Sequence, residues 1–251
     1  MKKQITTAIF AGLLFWGISA SKAQALLDLE TGAAFTGYNN VRIPGNTGTR
    51  FSLKDDLSPK AAFFYRIRLS YLIKNRHTIS ILYAPLQIES KGQFAKDIFF
   101  EGVNFPANTE VTGTYKFNSY RLTYRYDIVK KPTIEFGLGF TAKIRDAKIA
   151  LSSSALSSEK ANLGFVPIVN FRLLWHMNSR VGLLLEGDAL AAPQGRAEDV
   201  LLAATYKLTE KLKVRAGYRI LEGGAENDVV YNFALIHYAS FGVSYSFSDM
   251  K

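Results

Sequence analysis

The sequence predicts an all-β fold, an antiparallel up-and-down transmembrane β-barrel of about ten strands behind a cleaved N-terminal signal peptide. Three observations predict it. Ten stretches of roughly ten residues alternate apolar with polar or charged side chains, the chain opens on an export-type leader, and the connections alternate short with long. A strand that crosses a bilayer must alternate lipid-facing with lumen-facing positions, and only a closed barrel satisfies its backbone hydrogen bonds there.

The leader comes first. Lys2 and Lys3 precede a mostly apolar run from Ile5 to Ala20, and small residues stand around Ala23 and Ala25. This is the pattern of a secretory signal peptide, residues 1–23, with cleavage after Ala23 or Ala25. A membrane-anchoring helix is the weaker reading, because the run is short and ends at Ala23-Gln24-Ala25 rather than at a basic stop. Residues 24–251 then form one barrel domain, with neither a run of eighteen apolar residues nor a Pro- or Ser-rich linker. The formal charge of the whole chain is +10, and loss of Lys2, Lys3 and Lys22 lowers it by three. The remaining basic residues are spread singly along alternating strands, so nucleic acid is not an expected partner. Cysteine is absent, which excludes disulfides and thiolate metal sites.

The strands follow in order. Leu27–Tyr38 is faint. Ala62–Ile73 sets Tyr65, Ile67, Leu69, Tyr71 and Ile73 against Phe64, Arg66, Arg68 and Ser70. Thr78–Ile88 is faint again and contains Pro85. Tyr120, Leu122, Tyr124, Tyr126 and Ile128 oppose Ser119, Arg121, Thr123, Arg125 and Asp127. Ile134, Phe136, Leu138 and Phe140 oppose Glu135, Gly137, Gly139 and Thr141. Phe165, Val169, Phe171, Leu173 and Trp175 oppose Asn170, Arg172 and His176, in a strand that also holds Pro167. Val181, Leu183 and Leu185 face away from Arg180, Glu186 and Asp188. Val200–Leu208 is the third faint strand. Leu212, Val214, Ala216, Tyr218 and Ile220 oppose Lys211, Lys213, Arg215 and Arg219; the last strand sets Ala239, Phe241, Val243, Tyr245 and Phe247 against Ser240, Gly242, Ser244 and Ser246. Pro85 and Pro167 cannot donate to a ladder, so bulges or strand ends are expected at both.

Four connections are tight and polar: Lys74–His77, Lys130–Pro132, Asn178–Ser179 and Thr209–Lys211. The others, Arg42–Lys60, Ser90–Glu110, Leu151–Ala161, Pro193–Glu198 and Glu222–Asn232, are mostly longer. Short periplasmic turns and long outer loops are the rule in membrane barrels. Tyr71, Tyr126, Trp175, Tyr206 and Phe247 then share the outward parity near the short turns, as an aromatic girdle would. A soluble lipocalin-like barrel uses the same alternation with its apolar face inward, and parity alone does not separate the two. The loop asymmetry, the girdle and the ending Tyr245-Ser246-Phe247 favour the membrane.

That ending resembles the C-terminal recognition signal of outer-membrane proteins, although Ser248 to Lys251 follow it. The stretch after the leader resembles, along its whole length, the small outer-membrane β-barrel proteins of Gram-negative bacteria. Gly37–Gly45 and Glu222–Asp228 are similar to segments of such barrels with no assigned function. The resemblance implies residence in the cell outer membrane and contact with outer-membrane lipid and lipopolysaccharide. It further implies assembly by the barrel-assembly machinery through Tyr245 and Phe247, and a monomer. It carries over no functional residue.

Function must therefore be read from the lumen and the loops. On the lumen parity, Arg66, Arg68, Arg121, Arg125, Arg172, Arg180, Arg215 and Arg219 outnumber Glu30, Asp127, Glu135, Glu186 and Asp188. Charges held away from water must be paired or hydrated, and ten strands leave little room, so an Arg–carboxylate plug is expected. A basic interior that binds a small anion is the alternative, as is a barrel that admits hydrophobic solutes laterally. A lipid A-modifying enzyme would need His and Ser close together, and a protease of the ten-strand type would need acids with His at the outer rim. The residues at hand are His237 with Ser240, on opposite parities, and Glu226 with Asp228 in the last loop; no catalysis is expected. His77 falls in a turn, where solvation is expected. Three scattered histidines offer no metal spacing and no cofactor motif is present; Gly137-x-Gly139 and Gly223-Gly224 lack the following helix of a phosphate loop. The loop Ser90–Glu110 is apolar, with Phe94, Ile98, Phe99, Phe100, Val103 and Phe105. Packing against neighbouring loops is its simplest role; folding into the mouth, touching lipopolysaccharide or docking a partner are the others.

Overall fold

A computed structural model describes residues 24–192 and 195–247; the expected signal peptide lies outside the described residues. In chain order the strands are β1 (Gln24–Arg42), β2 (Phe51–Ser52), β3 (Ser58–Pro59), β4 (Ala62–Ile73), β5 (His77–Ala84), β6 (Gln87–Gln93), β7 (Ile98–Phe100) and β8 (Val103–Phe105). Then come β9 (Glu110–Lys130), β10 (Ile134–Ser152), β11 (Ser157–His176), β12 (Val181–Ala192), β13 (Gly195–Lys207), β14 (Leu212–Glu226) and β15 (Tyr231–Ser246).

Neighbouring strands pair antiparallel, and β1 pairs with β15 from Leu26↔Ser246 to Arg42↔Tyr231, which closes the sheet into a ten-strand barrel. β5 and β6 share one stave. Pro85 sits in the break between them, as its missing N–H requires.

The expected parity holds along the staves. Tyr65, Ile67 and Leu69 of β4, Tyr120 to Ile128 of β9 on alternate positions, and Phe241 and Tyr245 of β15 are exposed on the outside. Arg66, Arg121, Arg215 and Arg219 are buried inside. Trp175, Tyr206 and Phe247 line up at the short-turn end, where the Phe247 N–H donates to Ala25 O at 3.0 Å and Tyr71 pairs with Ala25. An apolar outer band bounded by aromatic belts is the exterior of a membrane-spanning barrel.

The strands overshoot the sequence boundaries. β9 runs 21 residues and β11 runs 20, whereas roughly 9–11 suffice to cross a bilayer. The supposed loop Leu151–Ala161 is a hairpin whose strands meet at Ser152↔Ser157. Likewise β14 and β15 extend to Glu226↔Tyr231, and β12 and β13 to Ala192↔Gly195. Above the bilayer both faces are wet or covered by loops, so the outward positions of β9 become Thr112, Thr114, Lys116 and Asn118 and the hydropathy signal that marks a strand vanishes. Long connections remain at 43–61 and 94–109.

Candidate functional site

The lumen has three tiers, set by which residue types the inward parity presents at each height. At the middle, four arginines meet four carboxylates. Glu30 of β1 accepts from Arg219 Nε and Nη2, each at 2.7 Å, from Arg215 Nη2 at 3.1 Å and from Ser240 Oγ at 2.8 Å. Asp199 of β13 accepts from Arg66 Nη2 at 3.0 Å, Arg121 Nη2 at 2.5 Å and Arg219 Nη1 at 2.5 Å. Asp188 of β12 accepts from Arg121 Nη1 at 2.6 Å, Thr141 Oγ1 at 2.7 Å and Asn170 Nδ2 at 2.9 Å. Asp28 receives both terminal nitrogens of Arg215, that from Nη2 at 2.8 Å. Every barrel strand except the β5–β6 stave contributes a side chain to these bonds. Arg219, at 1% exposure, is the largest fully buried side chain among the described residues.

Such burial is tolerable because opposite charges balance and most polar atoms are bonded. Glycines make the room. A Cβ on Gly242 would stand 2.5 Å from Arg215 Cζ, and one on Gly137 would stand 2.6 Å from Asp127 Oδ1.

The periplasmic tier is wetter. Arg68 pairs with Glu186 at 3.0 Å, Arg172 with Glu135 at 3.0 Å and Arg125 with Asp127 at 3.5 Å, while His176 Nε2 lies 3.3 Å from Glu135 Oε1. These residues line a vestibule of about 670 Å³ that reaches the short turns. Arg180 belongs to its rim and not to the charge network: it is exposed in the turn between β11 and β12, because the strand starts one residue later than the sequence implies.

The outer tier is apolar. The loop carrying β7 and β8 folds into the mouth together with β2. Phe51, Leu53, Phe94, Ile98, Phe100 and Phe105 are each no more than 2% exposed. Phe51 meets Phe94 and Phe100 edge-on at 5.3 and 5.8 Å, and the cluster rests on inward Val111, Tyr115, Leu151 and Ile236. Of the roles open to this loop, packing with its neighbours inside the mouth is the one the structure displays.

The remaining sequence candidates separate. Ser240 points into the lumen onto Glu30, whereas His237 faces outward and hydrogen-bonds and stacks with Tyr218. Glu226 reaches Arg42 at 3.5 Å at the rim. His77 is not simply solvated: as the first residue of β5 its Nδ1 lies 2.9 Å from Tyr124 Oη and its ring 5.0 Å from that of Tyr126, within the lower aromatic belt. Gly137, Gly139, Gly223 and Gly224 lie inside strands, not in phosphate loops. No group of three or more metal-ligating side chains occurs among the described residues.

Sequence reasoning missed Asp28, Lys143 and Asp199. Lys143 lies just past a strand segment whose parity is legible, whereas Asp28 lies within one faint strand and Asp199 at the edge of another. Extending Leu201 and Ala203 back by two gives Asp199, extending Thr141 forward by two gives Lys143, and Asp28 precedes Glu30 on the same face.

The sequence matches no established family and no curated protein. Among solved structures, the chain superposes on the outer membrane protease OmpT of Escherichia coli with a TM-score of 0.55 at 10% identity, covering 92% of this chain and 99% of that one. The transport unit of the autotransporter AIDA-I, also from E. coli, gives 0.47 at 8% identity over 94% of each chain. The attachment invasion locus protein Ail of Yersinia pestis gives 0.41 at 12%, over 89% and 99%. The likeness to OmpT shows the fold, that of an outer-membrane β-barrel, and at 10% identity fold is all that is shared.

Proposed function

We propose that this barrel is a closed, non-catalytic protein of the cell outer membrane with a structural or surface-interaction role. The observation that carries this reading is the balanced middle tier of the lumen. Four guanidinium groups and four carboxylates cross-link the wall at one height, and an apolar plug covers them from outside. An ion entering from the periplasmic vestibule meets paired charges whose separation costs several kcal/mol each. The absence of catalysis is supported by geometry. His237 and Ser240 face opposite sides of the wall, His77 and His176 stand at the periplasmic end, and none of the three reaches Glu226 or Asp228 at the outer rim.

On this reading the aromatic belts contact outer-membrane lipid and lipopolysaccharide, and the barrel works as a monomer. Tyr245 and Phe247, whose rings meet edge-on at 5.3 Å on the outer surface near the chain's end, present an aromatic signal to the barrel-assembly machinery. Planar-bilayer recording tests the closed lumen: no resolved single-channel steps are expected, and stable conductance of porin size from the wild-type protein would refute it.

A further inference from the structure

The ladder between β11 and β12 stops short of the top of the wall. β11 pairs with β10 along its full length, from Ser157 to Trp175, but with β12 only from Val169↔Ala189 downward. β12 continues upward paired to β13 as far as Ala192↔Gly195. Between Ser157–Ile168 on one side and Leu190–Ala192 on the other, the ladder is open. Pro167 stands two residues above the last β11–β12 rung, so the expectation of a ladder break there is met on one edge only, since Ala142↔Pro167 still pairs on the other.

A cavity of about 830 Å³ lies behind the opening, a size typical of small-molecule sites. It touches Phe165, Val166 and Pro167 in succession. Phe165 and Val166 point to opposite faces of β11, so the cavity wraps round the strand edge from lumen to exterior. On the outer side stand Leu163 and Phe165, 73% and 66% exposed, and Phe165 is in register with Ile144 and through it with Tyr120 of the upper belt. The opening is therefore at the level of the outer leaflet's interface.

The inner side is cationic. Lys143 is 2% exposed, lines the cavity and holds its ammonium 4.7 Å over the Phe117 ring. Among the described residues it makes no direct ion pair; Asp188 and Asp199 attract it only from beyond contact distance, and both are bonded to Arg121. Arg145, next on the same face, hydrogen-bonds only Asn162, at 2.5 Å, and its buried Nε has no partner. The other cations that line the cavity are already satisfied: Lys148 by Glu159, Lys160 by Glu101 and Arg196 by Glu222. A buried ammonium with no counter-ion in direct contact is costly, and an anion that joins it offsets that cost. The apolar lips and the charged interior together describe one kind of guest.

We infer that the gap between β11 and β12 is the lateral entrance to a binding site for a single-chain anionic amphiphile, a long-chain carboxylate whose head meets Lys143 and Arg145 while its chain lies along Phe165, Val166 and Leu190. The middle tier closes the lumen below, so the site holds its ligand and does not conduct it to the periplasm.

The full barrel, reconstituted in dilauroylphosphatidylcholine vesicles, is titrated with radiolabelled palmitate, with hexadecanol and inorganic phosphate as competitors. Saturable binding of one palmitate per barrel is expected, with hexadecanol at least about tenfold weaker and phosphate ineffective. Lys143→Met, checked for folded gel migration, is expected to weaken palmitate by at least about tenfold and leave hexadecanol unchanged. Ala192→Trp, at the lip, is expected to abolish binding of both. Non-saturable uptake by the wild-type protein, equal affinity for palmitate and hexadecanol, or unchanged palmitate affinity in Lys143→Met overturns the proposal. Should Lys143→Met fail to fold, unchanged palmitate affinity in both Arg145→Gln and Ala192→Trp does so. None of these readouts depends on conductance, so the closed lumen and the lateral site stand or fall separately.

Discussion

Removing Asp199 probes the lumen most directly, because three arginines converge on this one carboxylate. After Asp199→Ala, Arg121 keeps Asp188 at 2.6 Å and Arg219 keeps Glu30 at 2.7 Å. Arg66 keeps only a long contact to Glu30, 3.8 Å from its Nε. The loss is therefore that of one orphaned buried guanidinium plus two weakened pairs. Orphaning a buried charge costs about 3–5 kcal/mol, and the surviving partners keep the total near that range, well below three times it. Urea unfolding of the refolded barrel in vesicles, followed by loss of folded gel migration, measures the difference. Asp199→Leu combined with Arg66→Met removes the orphan and its desolvation together and is expected to recover most of the loss. A stability within about 0.5 kcal/mol of wild type for Asp199→Ala would refute the argument, since it would mean that water already solvates Arg66.

Other perturbations address the remaining tiers. Gly242→Val places a side chain where Arg215 Cζ would stand 2.5 Å from its Cβ, and a loss of about 1–3 kcal/mol in the same unfolding assay is expected. Leu122→Arg, in the middle of the exposed outer band, is expected to cost about 2–4 kcal/mol, whereas Thr114→Arg on the same strand above the belt costs close to nothing; equal costs would contradict the placement of the bilayer. Phe100→Ala empties the centre of the outer plug and is expected to admit an external protease to residues 94–108, read by cleavage on intact cells, with wild type resistant.

The sequence displays the barrel best where the bilayer imposes itself. Tyr120 to Ile128 and Leu212 to Ile220 are legible because one face meets hydrocarbon and the other water or charge. The signal fails in the protruding ends of β10, β11, β13 and β14, where Leu151, Ser158, Arg196 and Glu222 belong to strands yet read as loop. The charge network is legible by parity in Arg66, Arg121, Arg215, Arg219, Glu30 and Asp188. Its three-arginine acceptor Asp199 is not, since it sits at the seam between a faint strand and an assumed loop. The break between β11 and β12 has a single sequence trace, Pro167, and which edge of the strand that proline disables depends on register, which only the folded barrel defines.

The two ends of the barrel meet through charge as well as through hydrogen-bonded backbone. Asp28 and Glu30 are on the first stave, Arg215 and Arg219 on the ninth, and Ser240 on the tenth. During assembly the carboxylates of the first strand are made early, and until Arg215 and Arg219 arrive on the ninth stave Glu30 has only the long contact to Arg66 of the second, 3.8 Å. Until then the interior must stay hydrated, because dry unpaired charges cost too much. Expulsion of that water thus comes with the final β1–β15 pairing, and a misregistered closure would leave Glu30 facing the wrong side of its neighbours. The charge network acts as a check on circularity: the wall dries only when the right strands have joined.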